Sequence, residues 1–149
     1  MDSADELRDA GSDLVTHAAR LVRAIRRAIP QQTGIRVLSL LDEHGALGVT
    51  QLAEMDRCSQ PTMSGTVNVL LEQGLVLKAP HPDDARSTLV SLTASGRRTL
   101  GDYRKQSGAL VADRLTTHGQ HTAEDVAIAV SVMRAVLAPE PDEAQEGIS

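Results

Sequence analysis

At 149 residues, 41% of them hydrophobic, the chain has the length of one domain and can bury a real core, but with no Trp, no Phe and one Tyr that core must be aliphatic, which argues against stacking on single-stranded bases. One cysteine allows no internal disulfide, no apolar run approaches the roughly 20 residues that cross a bilayer, and the acidic start MDSADELRDAGSD lacks the layout of a secretion signal, so a cytoplasmic, soluble protein without a membrane partner is expected. The net charge of −5 is unevenly spread: five acids and one base in residues 1–13 and four acids in 138–149 put −8 at the ends and leave +3 between them, and local field rather than the sum governs what docks.

In chain order, residues 1–13 are expected to be a flexible acidic segment. From Leu14, the apolar positions Leu14, Ala18, Leu21, Val22, Ile25 and Ile29 recur at helical spacing, with Arg20, Arg23, Arg26 and Arg27 between them, and Pro30 ends this first helix. Thr33 and Gly34 precede a second short helix, IRVLSLLDEHG, closing on Gly45. Val49 reads as a strand residue and Thr50 as the cap of a third helix whose inward side is Leu52, Ala53 and Met55.

The fourth helix is the most informative. Ser59 can accept a hydrogen bond from a first-turn amide, Pro61 belongs in a first turn, Met63, Val67, Leu70 and Leu71 follow one face, and Gly74 supplies the stop. The opposite face collects Pro61, Thr62, Gly65 and Asn68, with Ser64 and Thr66 on its flanks, where a merely solvated face would hold Glu, Lys and Arg. Gly65 costs about 0.5–1 kcal/mol relative to alanine, so either something approaches closely there, or the helix tolerates a neutral glycine or packs it against a neighbouring helix.

Strands over 75–79 and 87–92 then flank a hairpin tip, stiffened by Pro80 and Pro82, that carries Asp83, Asp84 and Arg86. Thr93 caps a long helix from Ala94, weakened at Gly96, Gly101 and Gly108. Thr122 starts a last helix with the stripe Val126, Val130, Met133 and Leu137, and the acidic tail 139–149 is expected to be disordered. No repeat or linker separates two domains.

Helix, short strand, helix, helix, hairpin is the order of a winged helix-turn-helix: mainly α, with a small β-hairpin wing and flanking N- and C-terminal helices. There the second helix of the pair lies in the major groove, and Arg86 is the residue to enter the adjacent minor groove, with Asp84 supporting the wing by accepting hydrogen bonds from its guanidinium. GVTQLAEMDRCSQPTMSGTVNVLLEQGLVLKAPHPDDARSTLVSLTASG, residues 48–96, resembles the winged-helix core of the MarR (multiple antibiotic resistance regulator) family of bacterial repressors; LLEQGLV, DAR and LVSLTASG are its specific parts. The resemblance implies that Ser59, Gln60, Pro61, Thr62, Ser64, Thr66 and Asn68 lie at the DNA surface, that Arg86 is the wing-tip arginine, and that Lys78 and Ser87 are phosphate contacts. Two departures, Gly65 where the family often has arginine and Ala85 where a second basic residue is usual, imply weaker phosphate attraction.

Because a winged helix of about 60 residues cannot also bury the stripes of the first and last helices, a homodimer on palindromic double-stranded DNA is expected. The expected organisation is a dimerisation helix over 14–32, a DNA-binding domain over 33–93 and dimerisation helices over 94–138. The resemblance also implies a small aromatic or phenolic effector, near which Tyr103 and the arginines of the first helix could lie, although no residue names that ligand. Cys58 reads as buried filler rather than a redox sensor. His118 and His121 read as solvated helix-end residues rather than metal ligands, with Asp113 and Glu124 as acid neighbours. No nucleophile elbow or phosphate loop occurs, so no enzymatic activity and no cofactor is expected. The function expected is a transcriptional repressor released by a small molecule; the alternatives are a winged-helix protein-interaction module that does not bind DNA and a regulator responding to oxidation of Cys58.

Overall fold

The computed structural model describes residues 2–30 and 32–140. Among them run helices α1 (Ser3–Ala28), α2 (Ile35–His44), α3 (Val49–Asp56) and α4 (Gln60–Glu72), strands β1 (Val76–Pro80) and β2 (Thr88–Leu92), and helices α5 (Ala94–His118) and α6 (Ala123–Leu137). The architecture is the expected mainly α fold with one antiparallel hairpin, in register from Val76 opposite Leu92 to Pro80 opposite Thr88. Of the tail expected to be disordered, residues 141–149 lie outside the described residues.

Four local expectations need correction. Residues 3–13 are helical rather than flexible: Asp5 and Glu6 stand in the first turn of α1 and Arg26 and Arg27 in its last, each opposing the end of the macrodipole it sits on. The strand residue before α3 is Leu47, not Val49; its amide and carbonyl exchange bonds of 3.0 and 2.8 Å with Val90, adding one rung to the hairpin. The cap of α3 is Gly48 rather than Thr50, because the Gln51 carboxamide reaches back to accept from the Gly48 amide at 3.0 Å. One turn later Met55 faces solvent, 42% exposed, instead of the core.

The core gathers where α2, α3 and α4 close over β2. Val37, Leu38, Leu52, Met63, Val67, Leu70 and Val90 are fully enclosed, and none of the described residues buries a polar or charged side chain. The entry to α5 is tied to the end of α4: Thr93 donates its hydroxyl to the Gly74 carbonyl at 2.6 Å and accepts from the Gly96 amide at 3.0 Å. Gly96 is therefore a contact point and not a weakness of α5, since a Cβ there would lie 2.1 Å from the Leu75 carbonyl oxygen.

The chain forms two compact units, one through Gly108 and one from Ala109, with the boundary inside α5. The first holds α1 to β2 and the start of α5. The second holds the rest of α5 and α6, and none of its described residues is fully buried.

Candidate nucleic-acid interface

Between α3 and α4 the chain turns within three residues. Arg57 takes a left-handed conformation, φ 54°, which a non-glycine residue adopts only where its surroundings require it. Here the Arg57 amide bonds the Glu54 carbonyl at 3.2 Å and the Cys58 amide the Ala53 carbonyl at 3.0 Å, closing α3. Arg36 of α2 pairs with the Asp56 carboxylate and bonds the Asp56 carbonyl at 3.4 Å, bracing the same turn. Cys58 is half-buried and packs on the core.

Ser59 then caps α4 as expected, its hydroxyl accepting from the Thr62 amide at 3.2 Å. The Ser59 hydroxyl proton goes to the Thr62 hydroxyl oxygen at 2.8 Å, and the Thr66 hydroxyl donates back to the Thr62 carbonyl at 3.2 Å. Met63, Val67 and Leu70 bury the inward face. On the outward face Gln60, Pro61, Thr62, Gly65 and Asn68 are exposed, while Ser64 and Thr66 are half-buried flanks. A Cβ on Gly65 would meet nothing within 4 Å. Packing against a neighbouring helix thus does not explain the glycine; it lowers the outward surface of α4.

The wing tip is held by its own short polar groups. His81 donates its amide to the Ser87 carbonyl at 2.9 Å and Ser87 its amide to the Asp84 carbonyl at 3.1 Å. Asp84 does not engage the guanidinium of Arg86, contrary to expectation; its carboxylate accepts from the Arg86 backbone amide at 3.0 Å and the Ser87 hydroxyl at 3.3 Å. A carboxylate reaches the amide two residues on without fixing a long flexible side chain, so this local turn wins. The exposed Arg86 side chain keeps its donors free among the described residues, as does Lys78 on β1.

Two contributors escape the sequence. Arg57 adds an exposed cation at the turn, and the His81 ring accepts the Asp83 amide at 3.0 Å; neither follows a local pattern that would mark it. Elsewhere, a cleft of about 250 Å³ in the first unit is lined by Pro30, Gln32, Ile35, Thr99, Asp102, Tyr103 and Gln106. Tyr103 lines this cleft; the arginines of α1 do not. In the second unit the acid beside His121 is Asp125, at 3.7 Å, rather than Asp113 or Glu124.

Among known proteins, the sequence model of the MarR family matches residues 31–88. The uncharacterized HTH-type transcriptional regulator Mb0904 of Mycobacterium bovis is 30% identical over 134 residues, covering 87% of this chain and 94% of that protein. The HTH-type transcriptional repressor NicR of Pseudomonas putida is 36% identical over 73 residues, covering 48% of this chain and 46% of NicR. In fold the chain is similar to the YusO protein of Bacillus subtilis, with a TM-score of 0.60 at 18% identity over 92% of this chain and 98% of that one.

Proposed function

Because the chain belongs to the MarR family of DNA-binding helix-turn-helix transcriptional regulators, we propose that it acts as a homodimeric repressor on a palindromic duplex and leaves the DNA when a small aromatic or phenolic effector binds. The observation that carries this is the outward face of α4, uncharged and uncovered, in the same domain as a wing whose Arg86 guanidinium is unengaged. Ser59, Gln60, Pro61, Thr62, Ser64, Thr66 and Asn68 are then the residues at the major groove. Lys78 takes a phosphate, Ser87, whose amide and hydroxyl are both given to Asp84, braces the tip beside it, and Arg86 enters the narrow groove, where the negative potential is enhanced.

Dimerisation is supported by apolar surface that has no cover of its own. After its first turn α6 carries one charged residue, Arg134, and leaves Ile128, Val130, Val132, Val136 and Leu137 exposed; a helix that is hydrophobic all round belongs in an interior. Repression is supported by the likeness to NicR, a repressor by name. For the effector, the half-open cleft beside Tyr103, in the same unit as the winged core, is a candidate seat.

Duplex binding measured across a salt series tests the proposal. With Arg57, Lys78 and Arg86 each neutralising one phosphate in both protomers, log affinity should fall against log salt with a slope of about −5. A slope near zero, or no binding at low salt, would favour the rival in which the uncharged face of α4 receives a protein.

A further inference from the structure

Which bases α4 can read follows from which of its polar groups remain available. The Ser59 hydroxyl is consumed at the cap, as both acceptor and donor. The Thr66 hydroxyl is turned back to the Thr62 carbonyl, and the residue is half-buried. Gln60 and Asn68 are exposed, and their carboxamides make no hydrogen bond among the described residues. From Gln60 to Glu72 there is no Lys or Arg.

These groups do not suit all bases equally. A carboxamide presents a donor beside an acceptor, the complement of adenine N6 and N7, whereas guanine offers two acceptors, O6 and N7, and is matched by the donor pairs of Arg or Lys. Glu72, which could accept from cytosine N4, stands about 6 Å beyond Asn68 along the axis, further still from the end of the helix that enters the groove. The wing agrees independently: a lone arginine is favoured in the narrow minor groove of A-tracts.

Resting on the DNA-binding function proposed above, we infer that the major-groove identity of the operator is set by A·T pairs, with Asn68 and Gln60 as the adenine-specifying residues, and that no guanine is read bidentately by this helix. The test is selection of the full-length protein on a random duplex pool, followed by substitution within the winning duplex. The fixed half-site positions should be A·T. Replacing one of those adenines with 7-deazaadenine, which removes N7 but keeps pairing, should weaken binding by about 5- to 150-fold. That penalty should vanish at one position in Asn68→Ala and at another in Gln60→Ala, and Asn68→Arg should change the selected base from A to G. Circular dichroism confirms that each exposed-site variant folds. Fixed guanines sensitive to 7-deaza replacement, or a selected sequence unchanged in both alanine variants, would overturn the inference and leave DNA binding standing. A pool from which nothing is enriched overturns both.

Discussion

A carboxylate accepting from the amide two residues on and the hydroxyl three residues on closes a turn by itself, and Asp84 does this to Arg86 and Ser87. The backbone beneath Arg86 is thus set before any ligand arrives, while the guanidinium stays free; less order has to be acquired on binding. Replacing Asp84 also removes a negative charge from a tip proposed to face DNA, so the informative comparison is between two neutral variants. Asp84→Asn keeps an acceptor for the Arg86 amide and Asp84→Ala does not, so Ala should bind duplex more weakly than Asn by about 0.5–1.5 kcal/mol in titrations at one salt concentration. Equal affinities would show that the turn contributes nothing. Gly96 gives a second test at this scale, on stability. Its missing Cβ would sit 2.1 Å from a backbone oxygen that cannot swing aside, so Gly96→Ala should lower the urea-unfolding free energy by about 1–3 kcal/mol although alanine is the better helix former.

Helix ends show where a sequence is legible and where it is not. The start of α4 is written in adjacent residues, Ser59 for the cap and Pro61 in the first turn, and its end in Gly74, φ 70°; all three act as their chemistry demands. The strand before α3 is different, because Leu47 is paired by Val90, which lies far along the chain, and no local pattern reports a partner that only folding delivers. In α1 the acids of residues 2–13 suggest a solvated segment, yet Leu7, Leu14 and Leu21 stand seven residues apart and continue one stripe through it. The candidate site divides likewise: the face of α4 and the position of Arg86 are local patterns, whereas the left-handed Arg57 and the true acceptor role of Asp84 depend on geometry. At α6 the cap carries a pH dependence. The Asp125 carboxyl is held below its ordinary value, first by the Thr122 backbone amide, then by the Thr122 hydroxyl, with His121 adding to it. A lowered folded value means that this stabilisation is complete above the ordinary carboxylate value of 3.8 and is lost as pH falls through the folded one. Urea unfolding at neutral pH should therefore separate the wild type from Asp125→Asn, and the gap should close in acid; a gap independent of pH would show that the charge is not what the cap uses.

For the whole molecule, the unmet requirement is cover for apolar surface in both units. Leu7 is 75% exposed on α1, and Val136 and Leu137 are 69% and 82% exposed on α6. Removing such area from water is worth about 25 cal/mol per Å². In the proposed dimer a second copy supplies the area twice over and joins two winged units into one ligand for a two-fold operator, so folding, dimerisation and affinity are linked. Val132, 47% exposed, is the place to separate them, because a carboxylate there can remain solvated in a folded single chain. In sedimentation equilibrium Val132→Glu should be monomeric at concentrations where the wild type is dimeric. The Tm of the wild type should rise with protein concentration while that of the variant stays flat, since only a partner that binds the folded state makes Tm depend on concentration. Duplex affinity should fall by about 100-fold or more as the second half-site ceases to be held at high effective concentration. A variant that remains dimeric, or a monomer that binds a full operator as tightly as the wild type, would place the dimer contact elsewhere or remove the need for one.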